Sequence, residues 1–232
     1  MKIFAISDLH LDETGSKPMD IFGPVWQGQK EEILESARAL GIKQDDVVLI
    51  AGDISWAMKV EDSKQDLSFL AQIPGIKIIL KGNHDYWWSS LAKVKQVLPE
   101  NVFPIQNNAY KFGNYIFCGT RGWEHDEGKG LTPEDEKIFY REGERLALSI
   151  KEAKKLQTNG EEIICMMHFP PFNFKRQDSI FTKQIEEAGI KTVVYGHIHN
   201  NFKGRDAITH KGGVDYILTS CDFLFNKIIP IK

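Results

Sequence analysis

Cysteine is scarce in this chain, with three residues among 232, at Cys118, Cys165 and Cys221. Their number is odd, their spacing is wide, and they form no C-x-x-C pair. This argues against a disulfide framework and against a cysteine-rich zinc or redox site. Cys118 and Cys165 lie in apolar runs, so we expect them to be small buried side chains. Without a disulfide framework, a reducing cytoplasm is the expected location.

Long hydrophobic runs are missing as well. No apolar segment approaches the roughly 18 residues that a transmembrane helix requires. The apolar run at residues 1–6 is too short for a signal peptide, and acidic residues follow it closely. We therefore expect a soluble protein with no membrane partner.

An excess of basic residues is also missing, because 29 Lys and Arg stand against 32 Asp and Glu, a formal net charge of -3. General nucleic-acid binding is not expected, since such proteins usually carry a basic excess. A nuclease with a local basic groove stays open. The composition is otherwise ordinary for a globular protein. No repeat, low-complexity tract or linker interrupts it, so one domain spanning 1–232 is the simplest expectation.

Strand and helix patterns alternate along the chain. Short apolar runs predict strands at 2–6, 47–50, 76–80, 163–167 and 192–195. Amphipathic spacing predicts helices at 31–40, 62–73, 89–98, 133–156 and 180–188. Further predictions are a hairpin at 109–118, edge strands at 214–220 and 223–231, and a loop at 13–28. The alternation indicates βαβ units with a largely parallel core, and ligands bind such sheets at the carboxyl ends of the strands.

The loop at 13–28 has two interpretations. Glycine and proline interrupt any regular period there, and long loops beside a strand end often act as lids. The other interpretation is that its apolar residues simply hold it against the body, and this is the one we favour. They are Ile21, Phe22, Val25 and Trp26.

Polar side chains follow five of the predicted strands. They are Asp8 and His10, Asp53, Asn83 and His84, His168, and finally His197 and His199. Five of the seven histidines of the chain belong to this set, in turns marked by glycine or proline. In an extended segment residues i and i+2 point to the same side. Asp8 and His10 should therefore project together, with Leu9 turned into the core. His197 and His199 should likewise face one side, with Ile198 on the other.

Carboxylate, amide and imidazole donors without a thiolate suit manganese, iron or zinc. Seven candidate ligands exceed what one ion takes. They fit a pair of ions about 3.5–4 Å apart, as in two-metal hydrolases.

The ordered set of motifs resembles the calcineurin-like metallophosphoesterase superfamily. The motifs are Asp8-x-His10, Gly52-Asp53, Gly82-Asn83-His84-Asp85, His168 and Gly196-His197-x-His199. The resemblance implies an α/β fold, a four-layer α/β/β/α sandwich of two mixed sheets flanked by helices. The dinuclear site would lie at the carboxyl ends of the strands.

The resemblance also implies roles for these residues. Asp8, His10 and His199 would hold one metal ion, Asn83, His168 and His197 the other, and Asp53 would bridge them. The cofactors would be two divalent ions, manganese or iron, with zinc as an alternative. A hydroxide held by the ions would attack phosphorus in line. His84 would be the catalytic residue near the leaving oxygen, as general acid or charge stabiliser.

One departure from the family pattern bears on the substrate. Phosphoprotein phosphatases of this superfamily have Asp-Arg shortly after Gly-Asp, but this chain has Ile54-Ser55-Trp56-Ala57 there. We therefore favour a phosphodiester substrate, with nucleotides among the candidates. The alternatives are a phosphomonoesterase acting on a small metabolite or a phosphoprotein, and a non-catalytic scaffold. Asp85 could orient His84 or fix the turn, and both interpretations stay open.

Three residues are candidates for substrate binding: Arg121, Trp56 and Trp87. Arg121 follows a strand-like run and could bind a phosphate through two N–H groups, although a surface arginine is the simpler interpretation. The two tryptophans belong to a group of aromatic residues near the motifs, together with Tyr86, Trp88, Phe169 and Phe172. These rings could stack on a nucleobase or could fill space around the site.

Overall fold

The computed structural model describes residues 1–199 and 207–232. Its first sheet has five strands in the order β11-β1-β2-β3-β4. They are β1 (Ile3–Ala5), β2 (Val47–Ile50), β3 (Ile76–Leu80), β4 (Val102–Ile105) and β11 (Ile229–Pro230). β1 to β4 run parallel, and β11 pairs with β1 in the antiparallel sense. The parallel arrangement places the carboxyl ends of β1, β2 and β3 at one edge of the sheet.

The second sheet has six strands in the order β5-β6-β7-β8-β10-β9. They are β5 (Tyr110–Phe112), β6 (Tyr115–Thr120), β7 (Glu162–Met167), β8 (Thr192–Tyr195), β9 (Ile208–Lys211) and β10 (Val214–Leu218). The inner strands β6, β7, β8 and β10 are parallel, while β5 and β9 at the two edges are antiparallel to their neighbours. Both sheets are therefore mixed.

Helices cover the outer face of each sheet. They are α1 (Gln29–Ala39), α2 (Ser63–Gln72), α3 (Leu91–Val97), α4 (Pro133–Leu156) and α5 (Ile180–Glu187). The first three contribute Ile33, Leu67 and Val94 to a core shared with the outer face of the first sheet. α4 and α5 contribute Leu146 and Ile185 to the corresponding core on the second sheet.

A third core joins the two sheets face to face. Because side chains of a strand alternate between faces, Val48 and Ile50 of β2 face the helices while Val47 and Leu49 face the other sheet. Ile164 and other residues of the second sheet meet Val47 and Leu49 from the opposite side. The predicted four-layer α/β/β/α sandwich is confirmed.

The tail differs from the prediction of edge strands at 214–220 and 223–231. β10 lies inside the second sheet between β8 and β9, and of 223–231 only Ile229–Pro230 forms a strand. β9 was not predicted, because its Thr209-His210-Lys211 stretch is polar and carries little hydrophobic signal. β9 covers the edge that the sequence assigned to β10.

The predicted loop at 13–28 contains two short 3₁₀ helices, Met19–Phe22 and Pro24–Trp26. Trp26 is buried in the first helix-facing core, whereas the side chains of Ile21 and Phe22 are 73% and 57% exposed. Trp26 therefore holds the segment against the body, and Ile21 and Phe22 do not.

All three cysteines are buried and free, in agreement with their prediction as small core side chains. Among the helices in the described part of the chain, none is both long and apolar enough to cross a membrane.

Candidate metal centre

The seven predicted ligands meet at the edge where both sheets present the carboxyl ends of their parallel strands. Asp8 and His10 follow β1, Asp53 follows β2, and Asn83 follows β3. From the second sheet, His168 follows β7, while His197 and His199 follow β8. A hydrogen bond joins the two sets, since the His197 backbone N–H donates to Asp8 Oδ1 at 2.9 Å.

One group of donors consists of Asp8, His10, Asp53 and His199, whose ligand atoms all lie within 4.8 Å of one another. His199 Nε2 is 3.2 Å from His10 Nε2 and 3.4 Å from Asp8 Oδ1. Three of these side chains are fully buried or nearly so. Carboxylate and imidazole donors in this arrangement are suited to a divalent transition metal.

A second group converges on the amide of Asn83. Its Oδ1 atom lies 2.7 Å from His168 Nε2 and 2.9 Å from His197 Nδ1. Two imidazole nitrogens and one amide oxygen thus point at one small volume, which could hold a second ion.

Asp53 lies between the two groups. Its Oδ2 atom is 3.7 Å from His10 Nε2 and 3.5 Å from His168 Nε2, one histidine of each group. Oδ2 is buried and has no hydrogen-bond partner among the described residues. A buried carboxylate oxygen without a partner is costly, and a cation on either side would satisfy it. The donor set and this orphaned oxygen together fit a pair of metal ions.

The backbone at four of the predicted ligands has left-handed φ angles and is not extended. This corrects the extended geometry that was expected from the i, i+2 spacing. The φ angles are 58° at Asp8, 46° at His10, 51° at Asp53 and 69° at His197. The extended strand β1 has already ended at Ala5, so a turn and not strand pleating brings Asp8 and His10 together. Leu9 is fully buried, as predicted. Positive φ at a non-glycine residue is strained, and such strain concentrates at functional sites.

Two glycines allow the strand ends to approach this closely. A Cβ atom on Gly82 would collide with the backbone nitrogen and carboxylate of Asp53, and one on Gly196 would collide with the carboxylate of Asp8. Neither glycine has a positive φ, so space and not backbone conformation requires glycine at both positions.

The carboxylate of Asp85 fixes the turn that carries Asn83. It accepts hydrogen bonds from the backbone N–H groups of Ile54 (2.9 Å), Ser55 (3.1 Å) and Gly82 (2.8 Å) and from Trp87 Nε1 (2.9 Å). Burial raises the pKa of Asp85, and the four donors oppose this. Of the two interpretations left open by the sequence, these contacts favour fixing the turn.

Two further contacts orient the histidines. His168 Nδ1 lies 2.9 Å from the Ala51 carbonyl, and His199 Nδ1 lies 3.0 Å from Asp222 Oδ1. Such partners fix which ring nitrogen carries the proton and leave Nε2 free for a metal. Asp222 was not predicted, because it lies 23 residues after His199 and belongs to no motif.

The pKa shifts of four predicted ligands are those expected at a site for a cation. Burial and the neighbouring Asp8 and Asp85 charges raise the pKa of Asp53 well above its usual range. Burial lowers the pKa of His168 to about 3 and of His197 to about 4, so both rings are neutral, as metal ligands must be. Burial also lowers the pKa of His199, but hydrogen bonds to Asp222 and Asp8 and their charges outweigh it and raise the value to about 10. A metal at this position would displace that proton.

His84 lies beside the first group and is not one of its donors. Its ring packs at a tilt against the rings of Trp56 (4.5 Å between centroids) and His10 (5.5 Å), and Trp56 stacks on His10 at 4.9 Å. The His84 backbone N–H donates to Asp53 Oδ1 at 2.8 Å. Burial lowers the pKa of His84. The ring therefore lies against His10, one of the donors of the first group.

The other predicted substrate residues have different surroundings. Trp87 is 1% exposed and packs in the core, so its burial does not favour a contact with substrate. Arg121 pairs with Glu142 at 3.4 Å and lies over the Trp123 ring at 4.5 Å. Its backbone carbonyl accepts the N–H of His168 at 3.1 Å, which places Arg121 next to the metal ligands.

A cavity of about 410 Å³ lies next to His197. Phe169, Phe172 and Trp123 supply aromatic walls, and the Phe169 ring is 4.0 Å from the His197 ring between centroids. Sequence reasoning grouped Phe169 and Phe172 with the aromatic residues near the motifs but did not predict this cavity, because Trp123 comes from a separate loop.

A four-layer α/β sandwich with carboxylate, amide and imidazole donors at its strand ends has the architecture of a metal-dependent hydrolase. The chain belongs to the calcineurin-like phosphoesterase family, whose family model matches residues 1–201. It is accordingly a phosphoric ester hydrolase of a family that uses divalent metal ions.

The chain is similar to a probable cyclic nucleotide phosphodiesterase of Coxiella burnetii, with 24% identity over 213 residues, 87% of this chain and 77% of the relative. Among solved structures it resembles a protein of unknown function from Aquifex aeolicus (TM-score 0.53, 14% identity, 99% and 95% of the two chains). It also resembles the calcineurin-like phosphoesterase YfkN from Bacillus subtilis (TM-score 0.53, 12% identity, 96% and 82%). These structural likenesses concern the fold.

Proposed function

We propose that the chain is a dinuclear metal-dependent phosphodiesterase, with nucleotides among its candidate substrates. The observation that carries this is Asp53 Oδ2, a buried oxygen without a partner among the described residues, placed between two convergent groups of donors. Asp8, His10 and His199 would hold one ion, Asn83, His168 and His197 the other, and Asp53 would bridge them. Manganese or iron is the expected pair, with zinc as an alternative, because the donors are oxygen and nitrogen without thiolate.

The bound ions would lower the pKa of a water molecule and neutralise charge on the phosphoryl oxygens. The protein contributes orientation. Asp222 and the Ala51 carbonyl hold two of the histidines. His84 lies beside the metal-binding side chains but is not one of them. Its ring N–H would donate a proton or a hydrogen bond to the leaving oxygen, as general acid or charge stabiliser. Trp56 packs at a tilt against the His84 ring, 4.5 Å between centroids, and would limit its rotation.

The choice of a diester rests on three observations. The chain has Ile54-Ser55-Trp56-Ala57 where phosphoprotein phosphatases of this superfamily have Asp-Arg. The similar protein of Coxiella burnetii is named a probable cyclic nucleotide phosphodiesterase. The aromatic cavity beside His197 offers apolar walls to a second substituent on phosphorus.

The substrate choice is tested by comparing bis-p-nitrophenyl phosphate with p-nitrophenyl phosphate on the manganese-loaded protein. We expect kcat/KM to be higher for the diester. A clear preference for the monoester would support the alternative of a phosphomonoesterase. No turnover of either ester with manganese, iron or zinc would support a non-catalytic scaffold.

The role of Asp53 is tested by metal analysis of the purified protein. We expect about two metal ions per chain in the wild type, and a loss of at least one in Asp53→Asn, because an amide is a poorer bridge than a carboxylate. Asp126→Asn, on an exposed loop, is the control and should keep the wild-type metal content. Unchanged metal content in Asp53→Asn would rule out the bridging role.

A further inference from the structure

A second cavity, with a polar lining, lies beside the turn that carries Asn83. Its volume is about 240 Å³. It is formed at the carboxyl ends of β3, β4 and β6 and closed by the first half of α4. We call it the basic pocket, and its charged residues are Lys81, Arg121, Arg141, Glu142 and Arg145.

The charge of the basic pocket is strongly one-sided. Four of its five charged lining residues are cations, although the whole chain carries a net charge of -3. Glu142 is the one acidic residue in the lining, and its side chain is 1% exposed. Its carboxylate already accepts from Thr120 Oγ1 at 2.7 Å, Arg121 at 3.4 Å and Arg145 at 2.7 Å. One carboxylate therefore serves several cations, and most of their N–H groups have no hydrogen-bond acceptor among the residues that the structure describes.

Lys81 and Arg121 are compensated only in part by protein groups. Lys81 Nζ makes a weak hydrogen bond to the Trp88 carbonyl at 3.4 Å. The Arg121 side chain is 14% exposed, and its Nε atom is buried without a partner in the part of the chain that the structure describes. Partly buried cations placed side by side repel each other unless an anion lies between them.

The position of the basic pocket relates it to the reaction. Lys81 is two residues before the predicted ligand Asn83, and the Arg121 carbonyl accepts the backbone N–H of His168. Both cations thus follow strand ends at the same edge of the sheets as the metal ligands. An anion in this pocket would lie close to the ester being hydrolysed and outside the metal coordination.

We propose that the basic pocket binds a second phosphate group of the substrate, so that the preferred substrate is a phosphodiester carrying an additional phosphate. Guanidinium groups bind phosphate through paired N–H donors, and an ammonium adds a point charge. This inference rests on the proposed function. It extends that function by assigning Lys81, Arg141 and Arg145, together with Arg121, to substrate selection.

The kinetic test uses two chromogenic diesters that differ only in the second phosphate. They are the p-nitrophenyl ester of thymidine 5′-phosphate and the same compound phosphorylated at the 3′ oxygen. We expect the 3′-phosphate to raise kcat/KM by about tenfold or more in the manganese-loaded wild type, the effect of one or two charge-assisted hydrogen bonds. Arg141→Gln and Arg145→Gln should each reduce this ratio. Arg38→Gln, an exposed arginine of α1, is the matched control and should keep it.

Two variants are needed because Arg145 also pairs with the buried Glu142, and its loss could disturb the fold. Arg141→Gln keeps that pair. Equal kcat/KM for the two esters in the wild type would overturn the proposal, as would a ratio that survives in both variants.

A binding test separates the basic pocket from the hydrolytic function. Pyrophosphate is titrated by calorimetry into the metal-free protein, where the pocket cations remain. We expect binding that Arg141→Gln and Arg145→Gln weaken by about tenfold and that Arg38→Gln and Asp53→Asn leave in place. If the diesters are not hydrolysed but this pattern holds, the proposed function fails and the anion site stands. If pyrophosphate does not bind, or if neither Arg141→Gln nor Arg145→Gln weakens its binding, the proposed anion site is overturned.

A free phosphate ion is the other source of the same chemistry. If inorganic phosphate binds the metal-free protein through Arg141 and Arg145 while the two diesters have equal kcat/KM, the site belongs to a free ion and the substrate assignment is overturned.

Discussion

Asp85 joins two turns that follow different strands and are far apart in the sequence. Its carboxylate binds the backbone N–H groups of Ile54 and Ser55, after β2, and of Gly82, after β3. The predicted ligands Asp53 and Asn83 lie in these turns, so one buried side chain sets the distance between them. The sequence shows that Asp85 is polar and adjacent to His84, but its partners are some 30 residues away and could not be inferred from a local pattern.

Asp85→Asn should therefore destabilise the protein. The amide nitrogen cannot accept a hydrogen bond, so buried N–H donors lose their partner, at a cost of about 2–4 kcal/mol. Urea denaturation of the metal-free protein measures the change in the free energy of unfolding. Asp126→Asn is a matched control, because Asp126 also accepts three backbone N–H bonds but is exposed. Its loss should cost much less than the loss of Asp85, because surface substitutions are usually close to neutral. Similar costs for the two variants would contradict the role of burial.

Lys77 gives a prediction about pH at a site remote from the metal ligands. Its side chain is fully buried in β3, and Nζ donates to the carbonyls of Ile73 (2.6 Å) and Gly75 (2.7 Å). Burial lowers the pKa of Lys77 from 10.5 to about 8. Between these two values the unfolded chain binds more protons than the folded one, so stability should rise with pH.

The measurement compares wild type with Lys77→Met by urea denaturation from pH 7 to 10.5. The free energy of unfolding of the wild type, minus that of the variant, should be flat below pH 8 and increase from pH 8 to 10.5. The exposed Lys151→Met control should show no such trend. A difference that falls over this window would contradict a lowered pKa.

At the scale of the elements, helix α4 and strand β8 have the bounds that the sequence predicted, 133–156 and 192–195. α4 has strong local signals, because Thr132 caps its first turn and Pro133 opens it. β9 was missed because its residues are polar, and the turns after β1 and β8 were wrongly expected to be extended. Left-handed φ at Asp8 and His197 is set by packing against distant strands, which no local pattern contains.

The turn after β8 should tolerate no side chain at Gly196. Gly196→Ala places a methyl group against the Asp8 carboxylate and the Ser7 hydroxyl, so either the ligand or the strand end must move. We expect metal content and diesterase activity to fall at least tenfold, while the far-UV circular dichroism spectrum remains that of a folded protein. Misplacing ligands by about 1 Å is enough for such a loss. Gly160→Ala is the control for backbone strain without a collision, because its φ is 78° but its Cβ would meet no atom within 4 Å, and it should keep the metal content and the activity. Retained metal in Gly196→Ala would contradict this close packing.

At the scale of the whole molecule, the metal centre is built from both sheets. The alternation of strands and helices predicted parallel strands but not their division into two sheets, which only the resemblance to a family implied. The division depends on which faces pack together, as Val47 and Leu49 show by facing the second sheet. Asp8, Asp53 and Asn83 come from one sheet and His168, His197 and His199 from the other, so bound ions would link the two.

Metal removal should therefore lower the stability of both sheets together, and we propose that they unfold as one domain. A ligand present at about 100 times its Kd stabilises the native state by about 2.7 kcal/mol, which corresponds to a Tm shift of roughly 5–10 °C for a chain of this size. Calorimetry with manganese and with a chelator measures the shift, and hydrogen exchange of β3 and β7 reports on each sheet. The Tm of Asp53→Asn should differ little between manganese and chelator. Protection lost from β3 alone, or from β7 alone, would contradict a centre shared by the two sheets.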